Sequence, residues 1–140
     1  MKYLSLIIFT FLSLNLFSQS EAKIVQEMPR FPGCENNGDD IKDQNKCSEE
    51  KLLQFVYNNL KYPNAARKKG MEGTTIIQFV IDEEGYLTEI TAKSDLGYGL
   101  EEAAIKVVES MNHMKNRWTP GKSHGEKIPV TYTLPVRFKL

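Results

Sequence analysis

Residues 130 to 140 read VTYTLPVRFKL. The even positions are all apolar (Val130, Tyr132, Leu134, Val136, Phe138, Leu140), and the odd ones are Thr131, Thr133, Pro135, Arg137 and Lys139. Alternation with period two marks a strand with one buried and one wet face. Backbone donors alternate in direction along an antiparallel strand. Prolines at 129 and 135, an even spacing apart, therefore lose their N–H groups on the same side, and the other side keeps a full set for an inner neighbour. Proline is tolerated in sheets chiefly where the missing donor would face an open edge. The stretch thus predicts an edge strand, which is either guarded against pairing, paired with a second copy, or open to a partner peptide.

Working upstream, Asn112 to Gly125 is a polar connector interrupted by Trp118. Before it, Leu100, Ala103, Ala104, Val107, Val108 and Met111 share one helical face, and Glu101, Glu102, Lys106 and Glu109 share the other. Thr74 to Ile81 (TTIIQFVI) is β-branched and almost wholly apolar, as expected of a central strand buried on both faces. Asp82 to Gly85 is turn chemistry and Tyr86 to Lys93 a second strand, which together predict a hairpin. Leu52, Leu53, Val56, Tyr57 and Leu60 repeat at helical spacing, predicting a helix from about 48 to 60 that Pro63 stops. A further helical turn, Asn64 to Lys69, ends at Gly70.

The order is helix, strand, strand, helix, strand. If the third strand crosses over the second to pair with the first, the sheet order is 2-1-3, all antiparallel, and the proline-bearing strand is an edge. The predicted fold class is α+β, a three-stranded antiparallel sheet with helices packed on one face.

Residues 1–20 read as a cleavable signal peptide: Lys2, the apolar run Leu4 to Phe17, then small residues at Ser18, Ser20 and Ala22. The alternative is an inner-membrane anchor, but the run is shorter than the roughly 20 residues of a spanning helix. The reading places the chain in the periplasm, with a membrane attachment only if this segment is retained. Residues 21–47 are polar and turn-rich, predicting an extended arm that Ile24, Met28 and Phe31 are candidates to pack down, and residues 48–140 form the domain. Cys34 and Cys47 both lie in the exported part, so a disulfide is expected. Closing that segment would restrict the unfolded chain by roughly 3 kcal/mol. Two unpaired thiols are the alternative. Zinc fits poorly, because the spacing is not C-x₂-C and His113 and His124 lie far along the chain.

The whole chain carries 18 basic and 18 acidic residues; without Lys2 the balance is 17 against 18, a charge of −1. No basic excess points to nucleic acid or an anionic membrane. No Ser or Cys nucleophile comes with a plausible His partner, and neither a paired-carboxylate pattern nor a glycine-rich phosphate loop is present, so neither catalysis nor a cofactor is expected. The acidic turn Asp82, Glu83, Glu84 lacks the spaced ligands of a calcium loop.

The run Tyr62-Pro63-x-x-Ala66-x-x-x-Gly70-x-x-Gly73, the turn Asp82-x-x-Gly85, the stretch Arg117-Trp118-Thr119-Pro120-Gly121-Lys122 and the final strand, in this order, resemble the C-terminal domain of TonB energy-transducing proteins. The lead-in Met28 to Gly33 (MPRFPG) resembles the Bacteroidetes versions. The resemblance implies a periplasmic domain that binds a short segment, the TonB box, of outer-membrane transporters as an added strand on its sheet edge. On this chain that surface is Pro129, Thr131, Thr133, Pro135, Arg137 and Lys139, with Pro135 leaving a gap in the ladder. Tyr62, Pro63, Ala66, Gly70, Gly73, Trp118, Pro120 and Gly121 are then structural positions. The family's energy transducers also carry an uncleaved anchor and a long proline-rich spacer. Here only Pro29 and Pro32 lie between the first segment and the helical domain, and an arm of some 25 residues spans about 25 to 30 Å. A stand-alone module pairing with another envelope protein or with itself is the alternative to a transport component. Mass spectrometry of the mature protein is expected to find an N-terminus between Gln19 and Lys23; an intact Met1 in the inner membrane would contradict cleavage.

Overall fold

A computed structural model of the chain describes residues 23–36 and 38–140, so the signal-peptide expectation for residues 1–20 lies outside the described residues. The elements are α1 (Ile41–Asn59), α2 (Asn64–Lys68), β1 (Gly73–Ile81), β2 (Leu87–Ala92), α3 (Leu100–Ser110), β3 (Gly121–Ser123), β4 (Glu126–Ile128) and β5 (Val130–Phe138). The main sheet has the order β2-β1-β5, with both pairings antiparallel. The 2-1-3 topology expected from the sequence is thus the one observed.

The sheet buries one face against the helices. Ile77, Phe79 and Ile81 of β1 and Leu134, Val136 and Phe138 of β5 join Leu52 and Val56 of α1 and Leu100, Ala104, Val107 and Val108 of α3 in one core. β5 follows its sequence alternation, with Val130, Leu134, Val136 and Phe138 buried, Tyr132 half-buried, and the odd positions exposed. β1 corrects an expectation. Thr75, Ile77, Phe79 and Ile81 are buried, whereas Ile76, Gln78 and Val80 are only partly covered. Among the described residues no layer packs on the second face of β1, so its apolar run reflects β-branched preference as much as burial.

Three further expectations change. First, α1 starts at Ile41 rather than near Ser48, because Asp40 caps it by accepting from the Lys42 N–H at 2.9 Å. Lys42 to Lys46 has no apolar periodicity, so this first part of the helix is silent to pattern reading. Residues 41–47 therefore belong to the helix and not to an extended arm. Ser48, where the helix was expected to begin, lies inside α1, and its Oγ accepts the Phe31 N–H at 2.6 Å. Second, the connector before β5 contains the β3–β4 hairpin. His124 and Gly125 both have positive φ, 50° and 76°, and supply its two-residue turn without any apolar alternation to announce it. Third, of the three arm residues expected to pack down, only Phe31 is buried; Ile24 and Met28 are exposed.

The arm lies across the domain. Gln26 and Glu27 donate to the Lys122 carbonyl at 2.9 and 3.1 Å, Lys122 donates back to Glu27, and Arg30 and Thr119 exchange two backbone bonds. The Cys34–Cys47 disulfide, with a Cα–Cα distance of 6.0 Å, joins the end of the arm to α1. Phe31 packs edge-on to Trp118 at 5.6 Å and tilted against Phe55 at 5.6 Å.

Glu101, in the first turn of α3, ties the loop after β2 to that helix. Its carboxylate accepts from the Leu96 and Gly97 N–H groups and from Ser94 Oγ, and the same Oγ accepts the Ile76 N–H. Burial pushes the carboxyl pKa up, but these hydrogen bonds outweigh it and hold the group below its ordinary value of 4.5. A depressed folded-state pKa means that the stabilisation is present above the unfolded value and fades as pH falls through the folded one. Glu101→Gln is expected to cost about 2 kcal/mol at pH 7 in urea unfolding, with the gap to the parent narrowing below pH 4.5.

Candidate functional site at the sheet edge

The direction of each backbone group on β5 follows from its register with β1. Pro135 stands opposite Ile76. Ile76 directs both backbone groups the other way, its N–H to Ser94 Oγ and its carbonyl to the Lys93 N–H. The Ile76–Pro135 pair is therefore non-hydrogen-bonded, and position 135 faces outward. By the same parity the odd positions of β5 point their backbone groups to the open side, and the even ones to β1. Pro135 thus has its missing donor on the outer edge, as the sequence predicts, and the same parity carried one residue back from Val130 puts Pro129 on that side.

What remains on that edge is a short window. Arg137 points outward, but its N–H donates to Tyr57 Oη at 3.2 Å. Among the described residues nothing accepts from the Thr131 or Thr133 N–H. Two outward donors, flanked by Pro129 and Pro135, make up the free ladder. Beyond it Lys139 is exposed, and the Leu140 N–H is held by Glu72 Oε1 at 2.7 Å. Of the six residues singled out from sequence, the structure gathers Thr131, Thr133, Pro135 and Arg137 on one exposed edge, with Pro129 just before the strand and Lys139 just past it.

Tyr57 was not foreseen as part of this edge. Its spacing, like that of Leu53, places it with the buried helix positions, yet the two are 46% and 44% exposed. The stripe is real, but the domain covers only the part of it carried by Leu52 and Val56. Tyr132 is stacked on Phe79 at 5.5 Å and meets Trp118 edge-on at 5.4 Å. Burial raises its phenol pKa, and repulsion from the Glu49 carboxylate adds to the rise.

The motif residues hold this arrangement from behind. Tyr62 packs edge-on against Phe138 at 5.5 Å and donates its hydroxyl to the Met71 carbonyl. Pro63 opens α2, and buried Ala66 accepts the Met71 N–H while Gly70, at φ 62°, donates to Arg67, a Schellman-type close. Trp118 is 3% exposed and central to the aromatic cluster. A Cβ on Gly121 would lie 2.5 Å from Val130 Cγ2, and one on Gly85 would lie 2.1 Å from the Trp118 carbonyl oxygen, so both positions exclude side chains. His113 and His124 are exposed, and among the described residues no group of three His, Cys, Asp or Glu could hold a metal ion.

Comparison with known proteins agrees with this geometry. Residues 58–140 match the family of Gram-negative bacterial TonB protein C-terminal domains. The chain belongs to that family. Protein TonB from two Helicobacter pylori strains is 29% identical over 85 residues, which is 60% of this chain and 30% and 29% of the two relatives. The chain thus aligns with under a third of those proteins. Two solution structures of the Helicobacter pylori TonB C-terminal domain share the fold. They have TM-scores of 0.50 and 0.53 at 23% and 22% identity, and the alignments span 65% and 66% of this chain and 91% and 79% of theirs.

Proposed function

We propose that this chain is an exported, periplasmic peptide-capture domain that takes an extended segment of a partner as a fourth strand on β5. The partner class is a TonB-dependent outer-membrane transporter offering its TonB box, or another envelope protein presenting an equivalent strand; no nucleic acid, cofactor or chemical step is involved. The observation carrying this reading is the edge itself: two free outward donors, at Thr131 and Thr133, bounded on both sides by prolines. Short, proline-flanked edges resist indefinite pairing while leaving room for one short peptide. Membership of the TonB C-terminal family supports the same surface and a place in TonB-dependent transport.

The arm bears on how such a domain would act. Residues 26–30 lie hydrogen-bonded along Thr119 to Lys122 and are fastened by the disulfide, so they are not free to serve as a spacer. Capture therefore stands apart from force transmission in this reading, and a stand-alone module needs only the former.

Peptides from transporter N-terminal segments are expected to shift the amides of residues 129–139. Thr133→Pro removes an outward donor on the side where proline already occurs, so the fold should survive. Losing one ladder bond and its neighbour should weaken binding about tenfold or more, read by calorimetry. Shifts confined to other surfaces, or full affinity in Thr133→Pro, would contradict the proposal.

A further inference from the structure

A strand added to β5 would alternate its side chains between the wet face and the helix side of the sheet. Cross-strand neighbours point the same way, so its residue opposite Tyr132 would share the face of Tyr132. On that side α1 accompanies the edge. Glu49 and Tyr132 line one recess, and Tyr57 Oη reaches the Arg137 amide. From Glu49 to Tyr57 the helix rises about 12 Å, and from Tyr132 to Arg137 the strand advances about 17 Å. Helix and edge thus run side by side in the same direction. Glu49, Leu53 and Tyr57 are four residues apart and share one face of α1.

The recess holds about 210 Å³, and its lining includes Arg30, Asn45, Ser48, Glu49 and Tyr132. Although Arg30 also lines it, Glu49 forms no ion pair among the described residues. Asn45 Oδ1 is buried with no donor among the described residues. Ser48 Oγ already receives the Phe31 N–H. The Glu49 carboxylate stands close enough to the Tyr132 phenol to disfavour its ionisation. Arg30, the cation of this lining, also borders the neighbouring recess, where its charge helps lower the Glu35 pKa. The unmet demand is for a hydrogen-bond donor carrying positive charge. One turn further along α1, exposed Leu53 offers an apolar patch.

We propose that α1 is the specificity wall of the β5 groove, selecting an extended peptide with Lys or Arg opposite Tyr132 and an apolar side chain two residues along, over Leu53. This rests on strand addition at β5. Residues 41–57 of α1 precede the family match, which begins at 58. Tyr57 closes the groove at its far end by occupying the Arg137 donor.

The test uses the purified protein and four ten-residue Thr/Val peptides, carrying Lys or Glu at one position and Leu or Ser at both positions two residues away, so that either strand direction is served. Affinity is read by anisotropy and location by amide shifts. The Lys–Leu peptide is expected to bind about tenfold tighter than Glu–Leu, the scale of one well-placed charge pair, and several-fold tighter than Lys–Ser. Glu49 is exposed, so Glu49→Lys should keep the fold and invert the charge preference. Leu53→Ser should erase the preference for Leu over Ser. Equal affinities with shifts at Thr131 and Thr133, or a Lys preference that survives Glu49→Lys, would overturn the wall and leave strand addition standing. Absence of shifts at those two amides with every peptide would overturn both.

Discussion

Nine consecutive residue pairs join β1 to β5, from Gly73–Phe138 to Ile81–Val130, and the register of that ladder fixes everything functional in the domain. It decides that Leu134, Val136 and Phe138 enter the core and that the prolines turn their missing donors outward. A slip by one residue would expose the core face of β5 and point prolines into the ladder. The alternation and the two prolines therefore encode the same register twice. Tyr62 against Phe138 and Gly121 against Val130 brace the two ends of the strand in that register.

Around this sheet the chain adds a second layer of organisation. Phe31, Phe55, Trp118, Phe79 and Tyr132 form a run of tilted, edge-on and stacked contacts that leads from the arm through the core to the open edge. The disulfide fixes the arm to α1 and so holds the recess beside Tyr132 in shape. Phe31, Phe55 and the disulfide lie before residue 58, outside the family match, whereas Phe79, Trp118 and Tyr132 lie inside it.

How much of this the sequence disclosed depends on whether a feature repeats. β5 and α3 carry periods of two and 3.6 and were legible, as was the outward side of the prolines. β1 and β2 were legible as strands from β-branched residues around a turn, but the apolar run of β1 did not disclose that only one of its faces is fully buried. The motif from Tyr62 to Gly73 was legible because glycine and proline mark turns by chemistry rather than by pattern. The start of α1 was not, since a single cap at Asp40 precedes residues with no apolar stripe. The β3–β4 hairpin depends on His124 adopting a conformation usually left to Asn or Gly. Leu53 and Tyr57 show the remaining limit. Periodicity tells that a face is apolar, but only topology tells whether anything covers it.

The claim that most depends on the register is that Thr131 and Thr133 present unpaired donors at an open edge. Hydrogen exchange resolved to single amides in the free protein tests it directly. Thr131 and Thr133 should exchange fast, while Val130, Tyr132, Leu134 and Val136, which face β1, stay protected to near the global opening limit. Strong protection of Thr131 and Thr133 in the free monomer would mean that the edge is already paired, and the account of β5 as a capture site would be wrong.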